Sequence, residues 1–175
     1  LKAHPRHAWA SAALQRHYRA RGDAEKLWSL LSERVRRVPD DLPAVSAWVQ
    51  LSAVLDRASG APTASLAAAT QRLAASPAPA GAAAAAQAAV LWREKRYEEA
   101  FTRLTPASAG GNSRTGREIA FWLAVVSSEL GRPVPDRVWR AARALPLLEE
   151  ESVLLRAAVE KLGRSTASTL SGKTT

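Results

Sequence analysis

The chain has 175 residues, 47% of them hydrophobic, with 25 Lys and Arg against 16 Asp and Glu for a formal charge of +9. That is enough apolar material for one well-buried core, and the absence of Cys excludes disulfides, thiolate zinc sites and cysteine nucleophiles without fixing a compartment. No uninterrupted apolar run approaches the roughly 18 residues that a membrane span requires.

Glycines and prolines fall between periodic stretches rather than inside them, which points to an all-α chain. After a lead-in containing Pro5, a first helix is predicted over about 7–20, and Gly22 and Asp23 end it and cap the next. The second, about 24–38, spaces Leu27, Trp28, Leu31, Val35 and Val38 at the helical period before Pro39 stops it. Asp40 and Asp41 offer an N-cap, and Pro43 is tolerated in the first turn of a third helix carrying Val45, Trp48, Val49, Leu51 and Leu55. Gly60 and Pro62 break the chain. A fourth helix, about 63–75, presents Leu66, Ala69, Thr70 and Leu73, and residues 76–81 (SPAPAG) form a Pro-rich connector.

An alanine-rich fifth helix, about 82–94, turns tightly through Lys95 and Arg96 into a sixth with Tyr97, Ala100, Phe101 and Leu104 on one face. So short a hairpin cannot bury that face alone and needs neighbours. Residues 107–116 (ASAGGNSRTG) are expected to be a mobile surface loop. A seventh helix, about 117–130, carries Ala120, Phe121, Leu123, Ala124 and Ser127 before Gly131. Pro133 and Pro135 space it from an eighth with Val138, Trp139, Ala142 and Leu145, which Pro146 ends. The last, about 148–162, opens on Glu149, Glu150 and Glu151, where the helix dipole favours anions. Residues 1–163 thus read as one domain, and 164–175 as a Ser/Thr-rich tail expected to be disordered.

Pro39, Pro77, Pro106 and Pro146 recur at roughly 30 to 40 residues, the range of helical-hairpin repeats. In the first unit Leu14, Tyr18, Gly22, Leu27, Leu31 and Pro39 fall in order. In the third do Ala88, Leu91, Tyr97, Ala100, Leu104 and Pro106, and in the fourth Leu123, Ala124 and Gly131. This pattern resembles the tetratricopeptide repeat (TPR). The resemblance implies a right-handed α-α superhelix of about four helical hairpins with a C-terminal capping helix. It also implies that the first helix of each hairpin lines a concave face, pointing Trp9, Arg16, Arg19, Trp48, Trp92, Arg93 and Phe121 towards a groove. Aromatic and Arg residues on a rigid concavity are the usual anchors for a peptide. Trp28 and Trp139, on second helices, are expected in the core. The two-carboxylate clamp that some TPR domains build from Lys and Asn is not expected, because the only Asn is Asn112, in the loop.

Catalytic chemistry finds no footing in the sequence. His4, His7 and His17 lack the further ligands a zinc site needs. The C-terminal SGKTT lacks the upstream Gly and the following helix of a phosphate-binding loop. No nucleophile elbow occurs, and the Glu clusters sit where helix starts favour negative charge. The expectation is therefore no catalytic residue, no cofactor, no metal and no enzyme activity, but a scaffold for an unidentified protein or peptide.

Two alternatives stand beside that reading. One is binding of nucleic acid or another polyanion through an Arg-rich surface, against which the basic residues are spread over most helices and form no long block. Arg with abundant Ala is also what a GC-rich bacterial genome tends to produce. The other is a structural spacer or oligomerisation segment. A chain that starts at Leu1 and contains no Met reads as a fragment of a longer repeat protein, so localisation is left open.

Overall fold

Several helix ends in this chain are set by residues that satisfy otherwise unpaired backbone groups. The computed structural model describes residues 8–55, 63–75, 80–109 and 113–171. Among them lie nine helices and no strand: α1 (Ala8–Ala20), α2 (Ala24–Arg37), α3 (Leu42–Val54), α4 (Thr63–Ala75), α5 (Ala80–Arg93), α6 (Tyr97–Leu104), α7 (Arg114–Glu129), α8 (Asp136–Arg143) and α9 (Glu149–Ser171). The expected breaks at Gly60 and Pro62, residues 76–79 of the connector, the lead-in with His4 and His7, and residues 172–175 lie outside the described residues. Asp23 caps α2 by accepting from the Lys26 N–H, and Asp41 caps α3 by accepting from that of Ala44.

Two expectations are corrected. The loop expected over 107–116 is shorter, because Pro106–Ala109 forms a 3-10 turn and Ser113 caps α7 by accepting from the Gly116 N–H at 3.0 Å. The expected disordered tail begins inside a helix, since α9 runs to Ser171. No proline interrupts 164–171. Ala, Ser and Thr each cost less than about 0.7 kcal/mol in a helix, and lengthening a formed helix needs no new nucleus.

Three of the helix–helix turns are the same structure. The N–H of Asp23 reaches the carbonyl of Tyr18, that of Arg96 reaches Leu91, and that of Arg132 reaches Ser127, each at 2.9 Å. One residue earlier, Gly22, Lys95 and Gly131 donate to Arg19, Trp92 and Ser128. These are Schellman motifs, which require a left-handed residue at the first position past the helix. Gly22, Lys95 and Gly131 supply it with φ of 67°, 61° and 64°. Gly131 follows Lys95 by about 36 residues, and Gly22 precedes Lys95 by about two such intervals.

Lys95 is the costly member of this set, because a Cβ in the left-handed region crowds the backbone by about 1–2 kcal/mol. Lys95→Gly is therefore expected to stabilise the chain by about 0.5–1 kcal/mol, net of the extra unfolded-state freedom of Gly. The check is a raised urea midpoint at unchanged m-value. An unchanged or lowered midpoint would contradict the turn geometry.

Packing follows a simple order. Within each hairpin the partners touch: α1 on α2, α3 on α4, α5 on α6, α7 on α8. Odd helices also pack on the next odd helix (α3 on α5, α5 on α7, α7 on α9), and even helices on the following odd one (α2 on α3, α4 on α5, α6 on α7). Alanines make the middle of this stack tight: Ala85, Ala86, Ala88 and Ala89 of α5 are fully buried. At Gly81 a Cβ would come within 2.9 Å of the Thr115 Cγ2, so α5 and α7 cross closely there.

Two apolar clusters result. One gathers Leu27, Leu31, Val45, Trp48, Leu51 and Leu73 from α2 to α4, and the other surrounds Phe121, Trp122 and Val126 of α7. Leu148, just ahead of α9, is fully buried in the N-terminal cluster and so ties the end of the chain to its beginning.

Candidate interaction site

Three odd helices and the α8–α9 connection bring four sequence-distant segments onto one face. Arg19 of α1, Gln50 of α3, Glu118 and Trp122 of α7, and the connection from α8 to α9 surround a small cleft of about 30 Å³, room for a water rather than a substrate.

A chain of polar contacts lines it. The Trp122 indole N–H donates to Gln50 Oε1 at 2.8 Å. The Gln50 amide donates in turn to Ser46 Oγ at 3.1 Å and to Glu118 Oε2 at 3.4 Å. Ser46 passes its hydroxyl to the Ala82 carbonyl, and Arg114 donates to the other oxygen of Glu118 at 3.0 Å. On the opposite wall Arg19 donates to Glu151 Oε2 at 2.6 Å and to the Pro146 carbonyl at 3.1 Å. The same Glu151 oxygen accepts the Leu148 backbone N–H at 2.9 Å. Glu151 is the third residue of α9 reaching back to its own cap, half of a capping box, while it also neutralises Arg19.

The α8–α9 connection crosses this face. Its Pro146 carbonyl receives Arg19, the Ala144 carbonyl receives Arg117 at 3.3 Å, and Leu148 enters the core. Part of the surface on which a peptide was expected to lie is thus covered by the chain's own extended segment.

The seven groove residues expected from the sequence do not all meet. Trp9 is 77% exposed on α1, with Arg16 exposed two turns further along the same side of that helix. Arg19 and Phe121 border the cleft, but only 3% of Phe121 is exposed because its ring packs edge-on against Trp122, 5.3 Å between centroids. Trp48 is 5% exposed and donates to Ser32 Oγ at 2.9 Å, so it fills the space between α2 and α3. Both placements correct the expectation of two open groove walls. A large ring between closely packed helices gains more by burial than by facing water.

Trp92 is half-buried, 5.7 Å from the Trp122 ring, with its N–H buried and unpaired among the described residues. Arg93 beside it is half-buried. Trp28 and Trp139 are partly buried against the two clusters.

Gln50, Arg114 and Glu118 are not marked by the sequence, and Glu151 is marked only as a helix-start acid. The available signal was weak: Ser46 with Gln50, and Arg114 with Glu118, are polar pairs four residues apart on otherwise apolar helices.

Each carboxylate in the cleft is already held by a cation or an amide: Glu118 by Arg114 and Gln50, Glu151 by Arg19 and the Leu148 N–H. Much of the Arg charge elsewhere is spent locally, as in Arg34 with Asp41, Arg132 with Glu98, and Arg96 with Glu94 and Glu99. Hydrogen bonding from Arg96 holds the Glu99 carboxyl below its ordinary value, as Lys26 does for Asp23 and Arg36 for Glu33. Among the described residues no three His, Cys, Asp or Glu gather to hold a metal ion, and no helix is long and apolar enough to cross a membrane. No protein-family model, curated protein or solved structure matches the chain.

Proposed function

We propose that the chain is a non-catalytic protein-interaction module: a TPR-like, right-handed stack of about four helical hairpins closed by α9, which receives a protein or peptide partner on the face of its odd helices. The observation that carries this reading is the repeated turn at Gly22, Lys95 and Gly131, joined to the odd-on-odd packing of α3, α5, α7 and α9. A repeat of that kind builds an extended, rigid face whose side chains come from many hairpins, the geometry suited to holding another chain. Trp9 and Arg16 of α1 are exposed, and Trp and Arg are the residue types that anchor interfaces.

The test is affinity capture from lysate of a high-GC bacterium by the wild type and by a Trp9→Ala, Arg16→Ala variant. Both side chains are exposed, so the variant should keep its helical circular dichroism. One defined protein retained by the wild type alone is the expected result. Equal recovery of the same material by both, washed away by moderate salt, would instead make the Arg-rich surface a general polyanion binder.

A further inference from the structure

The packing order leaves one place empty. Each of α1, α3, α5 and α7 has an even helix beside it, and each of α2, α4 and α6 packs on the odd helix that follows. α8 and α9 both rest on α7, yet α8 does not pack closely on α9, and among the described residues α9 has no helix on its far side. Between them runs an open trench of about 720 Å³.

Its walls are apolar where they should be wet. Val134 and Trp139 come from the α8 side and Val159 and Leu162 from α9, with Val159 39% exposed. Gly163 sits at its edge with nothing within 4 Å of where a Cβ would be, so another backbone can come close. The shape left between two helices that share a neighbour is that of a third helix.

Charge identifies what kind of helix fits. Arg140 and Arg143 line the trench, are exposed, and among the described residues pair with no carboxylate. Among the described residues Asp136 is the one acidic residue lining it, while Glu129 nearby is held by Lys161 at 2.5 Å. A second copy of this chain, with the same +9 charge, is a poor match.

We propose that the α8–α9 trench docks an amphipathic helix of a partner protein, its apolar ridge seated on Trp139, Val159 and Leu162 and its acidic flank against Arg140 and Arg143. Helix-in-groove binding of this sort places anchors at i, i+3 or i+4, and i+7, and the flanking charges select the partner more than they add affinity. The trench shares no lining residue with the cleft around Arg19 and Trp122, and the proposal stands or falls independently of the reading given above.

The probe is a displayed library of amphipathic helices with a fixed apolar ridge and flank positions randomised among Glu, Gln and Lys, selected on the full chain. Selection on the wild type is expected to enrich Glu flanks, and selection on Arg140→Glu, Arg143→Glu to enrich Lys flanks. Measured by fluorescence anisotropy, the best Glu-flanked peptide should bind that variant, and Val159→Asp, at least about tenfold more weakly. All three substitutions are at exposed positions, and circular dichroism verifies that the variants fold.

Absence of any enrichment, an unchanged flank preference on the reversed variant, or full affinity for Val159→Asp would overturn the proposal. So would a concentration-dependent dimer in light scattering that Val159→Asp abolishes, which would give the trench to a second copy.

Discussion

Trp122→Ala is expected to cost about 3–5 kcal/mol, the range for deleting a large buried aromatic. Trp122 is 1% exposed, its ring meets those of Phe121 and Trp92, and its indole N–H makes the shorter of the two hydrogen bonds that join α7 to Gln50 of α3, the other running from the Gln50 amide to Glu118. The substitution removes the transfer energy of the ring, leaves a cavity between close-packed helices, and strands the Gln50 oxygen in a part-buried place. Trp9→Ala, at 77% exposure, is the matched control and should move the urea midpoint by no more than about 0.5 kcal/mol equivalent. If the two variants lose stability equally, the burial of the Trp122 ring is wrong.

Glu151→Ala should cost about 2–3 kcal/mol, for a different reason. Glu151 closes α9 by accepting the Leu148 N–H and compensates Arg19, whose side chain is only 17% exposed. Losing the carboxylate leaves a cation short of its partner and a helix end uncapped. The figure is set below that for a fully buried pair because water reaches both groups. Arg19→Ala should be costly too, and the double variant should cost less than the two singles together, with a coupling of about 1–2 kcal/mol. Additive losses would mean that α1 is not held to α9 through this pair.

How far the sequence foretold this arrangement depends on what each residue reports. Periodicity and breakers are local, and they placed all nine helices, because Asp23, Asp41, Gly22 and Gly131 act on backbone groups a few residues away. The turn at Lys95 was legible as a turn but not as a copy of the glycine turns, since its left-handed backbone is imposed by the flanking helices on a residue that does not favour it.

The facing of Trp48 and Phe121 was not legible for another reason. α3 and α7 are buried on nearly every side over Ala44–Ala53 and Ile119–Ser128, and a helix without a polar face gives periodicity nothing to orient by. The contacts of Gln50 with Glu118 and Trp122 join residues far apart in the chain, and Glu151 reads locally as a helix-start acid, with no hint that Arg19 would meet it. The continuation of α9 past Gly163 is not legible in the Ser/Thr-rich composition there, because a helix already running into a segment can carry it without a new nucleus.

Hydroxyl-radical footprinting of the chain, free and with its captured partner, tests the interaction reading most directly. Free, Trp9 should oxidise readily and Trp122 hardly at all, as their exposures require. In the complex Trp9 should be strongly protected, with Trp122 unchanged. Equal oxidation of Trp9 with and without partner would contradict recognition on the odd-helix face, and protection of Trp139 alone would move the partner to the α8–α9 trench.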